Sequence, residues 1–153
     1  MPPPQGIVKI NLDASVDKHL SLAGFGVVVR DSKGHVLATM RMKQNLLPDP
    51  HLSESYVVFY ASKFAMELGF QRIILEGDAL NIVEGIKNGA QGWDSSSMLI
   101  LDARSLLAQL QQWTVAHIQR GFNSVAHALA ISALSIANSM FDIEVPQCIA
   151  HLL

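Results

Sequence analysis

Asp13, Glu54, Asp78 and His127 are the residues of this chain whose types and placement suit chemistry. Asp13 ends the alternation in VKINLDAS (8–15). There Val8, Ile10 and Leu12 interleave with Lys9, Asn11 and Asp13, the period of a strand with one buried face. Glu54 stands early in an apolar helical run, and Asp78 directly follows RIILEG (72–77). His127 lies about one turn into a segment that opens at Asn123 or Ser124. Carboxylates packed together repel one another unless a cation sits between them. Hard oxygen ligands select Mg²⁺ or Mn²⁺. Two such ions can activate a water and stabilise the leaving oxygen in phosphodiester cleavage. Each residue also has a plain role. Asp13 alone suits a turn into Ala14-Ser15, and Glu54 suits the first turn of a helix, where acids complement the dipole. Asp78 is a good N-cap, and His127 fits a hydrogen-bonded core position beside Ala130 and Ile131. Joint placement at one point is what separates the two readings.

The elements that would do the placing can be read in order. Residues 7 to 13 form the first strand. GFGVVVRDSKGHVLATMRM is a hairpin whose Val-rich runs flank the turn Asp31-Ser32-Lys33-Gly34. QNLLPDPHL (44–52), with Pro48 and Pro50, is a loop. Ser53 caps a helix to Leu68 that stops at Gly69 and is apolar almost all round, hence central. RIILEG is a buried strand, and Asp78 caps a second helix ending near Asn88-Gly89. Ser95 to Ser97 start a third helix reaching about Leu110, and residues 113 to 119 form a strand. A last helix runs from Asn123 or Ser124 to about Ser139, and Val145-Pro146 is loop before a short helix. The order βββαβαβα means an α/β fold, a mixed five-stranded sheet flanked by helices.

Lengths then bring the candidates together. A helix from Ser53 to Leu68 is roughly 24 Å long, and a strand from Arg72 to Asp78 returns roughly 23 Å. Glu54 and Asp78 therefore reach the same edge. If strand 72–77 pairs in parallel with strand 7–13, Asp13 ends there too. A parallel strand 113–119 delivers the start of the last helix, and His127 with it. In open α/β sheets that carboxyl edge is where sites form.

Bulk properties narrow the classes. At 153 residues, 50% apolar and 16% charged, the chain is globular and has material for a real core. The net charge of −2 lacks the basic surplus of a protein that grips nucleic acid unaided. Cys148 is the sole cysteine, so no internal disulfide can form, which suits a reducing, intracellular setting. No run of about 18 apolar residues is present to span a membrane, and MPPPQG lacks the pattern of a signal peptide. Residues 1–6 read as linker because Pro-Pro-Pro favours an extended chain. That leaves 7–153 as the domain, expected as a monomer.

The motifs PPPQGIVKINLDAS, GFGVVVRDSKG, the Glu54 helix ending ELGF, LEGDALNIVEGI and RGFNSVAHALA, in that order and spacing, resemble ribonuclease H. More specifically, they resemble the ribonuclease H-like domains of plant retroelement-type proteins. The resemblance implies a ribonuclease H-like fold and a two-metal site for Mg²⁺ or Mn²⁺. It places Asp13, Glu54 and Asp78 as metal ligands and catalytic residues, with His127 at the fourth ligand position. It implies cleavage of the RNA strand of an RNA/DNA hybrid, leaving a 3′-hydroxyl and a 5′-phosphate. The proline-rich start and the modest charge add the expectation that a fused or partner reverse-transcriptase-like domain supplies grip. The chain departs from the family at His127, where a carboxylate is usual four residues after the asparagine. Imidazole binds Mn²⁺ but is a poor Mg²⁺ ligand. GAQGWDSSS is short and carries no basic residue, where other members have a basic protrusion; its Trp93 either stacks on a base or covers the core edge. Two rivals stand beside the nuclease. One is a catalytically weak or inactive module that binds nucleic acid or a protein partner. The other is a small-molecule enzyme, which requires a deep apolar pocket at the carboxyl edge.

Overall fold

The computed structural model describes residues 6–142 and 147–153. Met1 to Gln5, which hold the expected linker, and the Val145-Pro146 loop lie outside the described residues. The strands are β1 (Val8–Asp17), β2 (Leu22–Arg30), β3 (Val36–Asn45), β4 (Arg72–Gly77), β5 (Gln112–His117) and β6 (Met140–Asp142). The helices are α1 (Pro50–Glu67), α2 (Leu80–Asn88), α3 (Ser95–Leu107) and α4 (Ser124–Ala133), with 3₁₀ turns at Arg120–Phe122 and Gln147–Leu152. The sheet order is β5-β4-β1-β2-β3-β6. β4 is parallel to both β1 and β5, and the remaining pairs are antiparallel.

The expected architecture is present with one strand more than the five expected. β6 adds three residues to the outer edge of β3, Met140 opposite Arg41 through Asp142 opposite Thr39. A three-residue strand is too short to show a period. The last helix also stops at Ala133 rather than near Ser139, which frees the chain to turn back to that edge.

The first strand does not end at Asp13. It runs to Asp17, and Asp13 lies opposite Gly26 in the β1–β2 ladder. What ends nearby is the other ladder, whose last β1–β4 pair is Asn11 with Glu76. Asp13 thus stands where β1 keeps a neighbour on one side only, and the turn role is excluded. α1 starts three residues earlier than Ser53. Asp49 is its N-cap, accepting from Leu52 N at 3.1 Å, and Pro50 occupies the first turn, where its missing N–H costs nothing. Glu54 is therefore in the second turn, beyond the reach of a first-turn dipole role.

Alternation along the strands splits the core. Ile10, Leu12, Phe25, Val27 and Val29 face α1, α2 and α3, and this is the larger apolar cluster. Val28 faces the other way, against Val125, Ala126 and Leu129 of α4 and Ile149. On that second face two glycines decide the packing. A Cβ on Gly26 would collide with the backbone O of Ala126 and N of Ala130, and one on Gly24 with the O of Ala130. Bare backbone at these two positions lets α4 lie directly on β2. The hairpin turn uses a different device. Asp31 Oδ1 accepts from the N–H of Lys33 and of His35, both at 2.9 Å, and Gly34 supplies the φ of 81° that closes the turn.

These glycines separate two kinds of cost. Gly26→Ala is expected to lower stability by about 3 kcal/mol through overpacking against α4. Gly34→Ala, whose Cβ meets open space, should lose about 1 kcal/mol through its left-handed φ. Urea unfolding midpoints check this. An unchanged midpoint for Gly26→Ala would contradict the seating of α4 on β2.

Candidate metal centre

Asp13, Glu54 and Asp78 each place a carboxylate oxygen within 4.8 Å of the other two. Three different elements supply them. β1 holds Asp13 rigidly beyond the end of the parallel ladder. α1 reaches over from the other side, and Glu54 Oε1 accepts from Ala14 N at 3.3 Å. Asp78 follows β4 directly. It does not cap α2, whose N-cap is Ala79 with no side-chain hydrogen bond. The Asp78 carboxylate instead meets Arg120 Nε at 3.4 Å, which explains why its capping capacity goes unused.

His127 stands against this cluster rather than inside it. Its Nδ1 lies 2.7 Å from Asp13 Oδ2, and it is not one of the three mutually close groups. The core-histidine role is set aside, since the ring is partly exposed and its partner is a buried carboxylate. Asp13 itself is 1% exposed, and its other oxygen, Oδ1, has no hydrogen-bond partner among the described residues.

Two residues that sequence reading assigned only to a polar strand face and a helix start hold the frame. Asn123 donates from Nδ2 to the carbonyl of Leu12 at 2.9 Å, fixing the α4 terminus to β1 one residue before Asp13. Asn11 donates to Asn123 Oδ1 at 3.3 Å and to Glu76 Oε1 at 3.1 Å. The available signal was the polar alternation Lys9, Asn11, Asp13 on a strand whose other face is apolar. Such a run beside a buried carboxylate marks a face that meets polar partners. Arg120 lies at the rim of the cluster, in contact with Asp78. Trp93 is 91% exposed and does not cover the core edge.

The electrostatics are those of a site short of positive charge. Burial raises the Asp13 carboxyl above its ordinary range, with the charge of Asp78 adding to the rise and the His127 hydrogen bond opposing it. Glu54 is pushed up to about 9, first by burial and then by the charges of Asp13 and Asp78. A hard divalent cation fits this donor set. All three groups are oxygen donors, Asp13 Oδ1 is buried without a partner, and Glu54 keeps a proton that a cation would displace. A small-molecule site fits poorly. The apolar cavity behind Glu54, between Leu12, Val58, Leu75 and Ile82, measures about 10 Å³, room for one water at most. In front of Glu54 the surface is an open trough past His51, Leu80 and Asn81. No helix among the described residues is long and apolar enough to cross a membrane.

Comparison with known proteins agrees with this architecture. The family described as reverse transcriptase-like matches residues 11–133. An Arabidopsis thaliana protein assigned by name to ribonuclease H is 30% identical over 150 residues, 97% of this chain. The chain spans about a quarter, 24%, of that relative's length. The crystal structure of RNase H1 from Halobacterium salinarum superimposes with a TM-score of 0.77 at 24% identity, covering 84% of this chain and 97% of that one. LC11-RNase H1 in complex with an RNA/DNA hybrid gives a TM-score of 0.71 at 18% identity, with 84% and 99% covered. At these identities the structures establish the fold.

The raised Glu54 sets a pH dependence. Without metal, the folded chain keeps a proton on Glu54 up to about 9, while the unfolded chain releases it near the ordinary 4.5. The native state binds more protons in that window, so stability falls as pH rises through it. In EDTA, the melting temperature of the native chain is expected to drop between about pH 5 and about pH 9. Glu54→Gln should show a shallower drop. Parallel profiles for the two proteins would refute the assignment of that proton to Glu54.

Proposed function

We propose, because the chain belongs to the reverse transcriptase-like family and carries the ribonuclease H fold, that it is a divalent-metal-dependent endonuclease cutting the RNA strand of RNA/DNA hybrids. The observation that carries this reading is the gathering of three carboxylates from β1, α1 and the end of β4, each with an oxygen within 4.8 Å of the other two. Asp13, Glu54 and Asp78 are the ligands and catalytic residues in it, and residues 7–153 are the domain. When bound, Mg²⁺ or Mn²⁺ would supply water activation and neutralise charge at the scissile phosphate.

The chain's own groups prepare that chemistry. β1 and the His127 hydrogen bond fix the orientation of Asp13, which leaves Oδ1 as its free ligand oxygen. Glu54, whose carboxyl burial and the charges of Asp13 and Asp78 push up to about 9, would release its proton to hold the ion. The open trough in front of Glu54 accepts a duplex where a closed pocket would exclude one. Arg120, whose side chain is 79% exposed, offers a cation to phosphate at the rim beside Asp78. Support for the substrate comes from LC11-RNase H1, a protein of the same fold that binds an RNA/DNA hybrid. With a net charge of −2, grip on the duplex is assigned to a fused or partner reverse-transcriptase-like domain, in keeping with the family's description.

A second reading rests on His127. By the family resemblance it takes the fourth ligand position, where it would remove one negative charge, and its Nδ1 lies 2.7 Å from Asp13 Oδ2. That favours a weakly active or inactive module that binds nucleic acid or a protein partner.

An end-labelled RNA/DNA hybrid, incubated with the protein in Mg²⁺ and separately in Mn²⁺, distinguishes the two. Cleavage of the RNA strand alone is expected, and Asp13→Asn should reduce it about 100-fold or more, about 3 kcal/mol of barrier. No cleavage by folded protein in either metal would support the binding module. His127→Asp should raise Mg²⁺-dependent cleavage about tenfold, as a carboxylate replaces imidazole beside a hard cation. A lower rate with folding intact would remove His127 from the site.

A further inference from the structure

Strand β5 closes one edge of the sheet, and its outer side is unpaired among the described residues. The direction of its backbone groups can be read from its two ends. Gln112 N donates to Gln71 O and Ile118 N donates to Gly77 O, both at 3.0 Å and both toward β4. Along a strand, successive residues point their N–H and C=O groups alternately to the two sides. Thr114 and Ala116 therefore face β4 as well, and Trp113, Val115 and His117 hold their N–H and C=O groups away from the sheet. None of these outward groups has a backbone partner among the described residues. We infer that this edge takes up an extended segment of a partner protein, one that alternates acidic and apolar residues, as a further strand of the sheet. The nuclease reading plays no part in this inference.

The edge is undefended. Sheet edges are usually blunted by brevity, charge, proline or a bulge. At the opposite edge β6 is three residues long. β5 has six residues, an unbroken register with β4, and neither a charge nor a proline in QWTVAH. An extended segment added there gains main-chain hydrogen bonds, and its alternate side chains set the specificity.

The two faces beside the edge dictate that alternation. Trp113 and Val115 pack into the larger core, on the side where α2 lies against β5. On the other face α4 packs on β1, β2 and β3, and Arg72, Gln112 and Thr114 are exposed on β4 and β5. Side chains of an added strand point to these two faces in turn. Those on the α2 side meet the apolar border at Trp113. Those on the bare side meet Arg72, which pairs with Gln112 in the ladder. β4 and an added strand are two strand spacings apart, about 10 Å, a gap that an arginine and a glutamate close from both sides.

Charge sets the sign of the partner. Between Asp102 and Asp142 the chain carries no carboxylate, and that stretch includes all of β5. Arg72 stands at one end of the edge, and the exposed Arg120 lies just past the other. Arg120 gives its Nε to Asp78, and a guanidinium has further donors to offer. An edge framed by two arginines complements carboxylates and opposes a basic segment.

The test is amide-resolved NMR of the whole chain in EDTA, with a synthetic heptapeptide of alternating glutamate and valine as the probe. The peptide is expected to shift the Trp113, Val115 and His117 amides saturably and to slow their hydrogen exchange. Its lysine–valine counterpart should give no saturable shift. Arg72→Glu should weaken the glutamate peptide about fivefold. Two N-methylated versions of the peptide test the edge without altering the protein. Methylation of the valine nitrogens should weaken binding about tenfold or more for an antiparallel strand, and methylation of the glutamate nitrogens should do so for a parallel one. Binding that survives both methylations would overturn the inference, as would equal affinity for the lysine peptide. Slow exchange of the three amides in the dilute free chain would overturn it too, because the edge would already be covered. Self-association that shifts the same amides would assign the edge to a second copy instead, and an equal response to oligouridylate would reduce it to a general polyanion surface. Either result would also overturn the inference.

Discussion

Helix α4 rests on bare backbone. Gly24 and Gly26 remove from β2 the side chains that would hold the helix at ordinary separation, and Gly26 is the residue paired with Asp13. The close approach therefore happens beside the carboxylate on which the candidate site centres. It brings His127 to 2.7 Å from Asp13 and lets Asn123 reach the carbonyl of Leu12. Two small residues in one strand thus fix the distance between an acidic strand and the helix opposite it. The larger apolar core, on the other face of the sheet, supplies most of the burial but does not touch this geometry.

The same approach sharpens an electrostatic conflict. Asp13 is buried more deeply than a carboxylate would be in an open crevice, and Glu54 and Asp78 crowd it from α1 and β4. The metal-free fold contains the conflict with a proton on Glu54, the His127 ring on Asp13 and the Arg120 guanidinium on Asp78. Each of these answers one carboxylate and leaves it able to exchange its partner. A site assembled this way is less stable than an apolar one of equal volume, and the strain is confined to groups a cation can relieve.

Much of this was legible in the sequence. The alternation of Val8, Ile10 and Leu12, the Pro/Gly punctuation and the lengths of α1 and β4 suffice to bring three acids to one edge. What was missed has physical causes. Asp13 looked like the end of a strand because hydrophobic alternation fades there. In fact only the parallel neighbour stops, a property of β4 that β1 does not encode. Asp78 looked like a cap because Asp favours that role locally, and a long-range ion pair with Arg120 overrode the preference. α1 began early because Pro50 reads as a loop residue and as a first-turn residue alike. The Asn11–Asn123 link depends on how two amides turn, and residue type alone does not reveal that.

The ties that complete the centre join opposite ends of the chain. His127 meets Asp13 across 114 residues, Asn11 meets Asn123 across 112, and Asn123 meets Leu12 across 111. The β2–β3 hairpin, by contrast, needs only its own turn. Contacts so remote carry a large loop-closure cost and form after local structure. A ribosome-bound chain that has built β1, the hairpin and α1 holds all of Asp13 and Glu54 and still lacks the helix that orients Asp13. The centre is therefore timed by synthesis itself, since its frame closes only once α4 has emerged and docked.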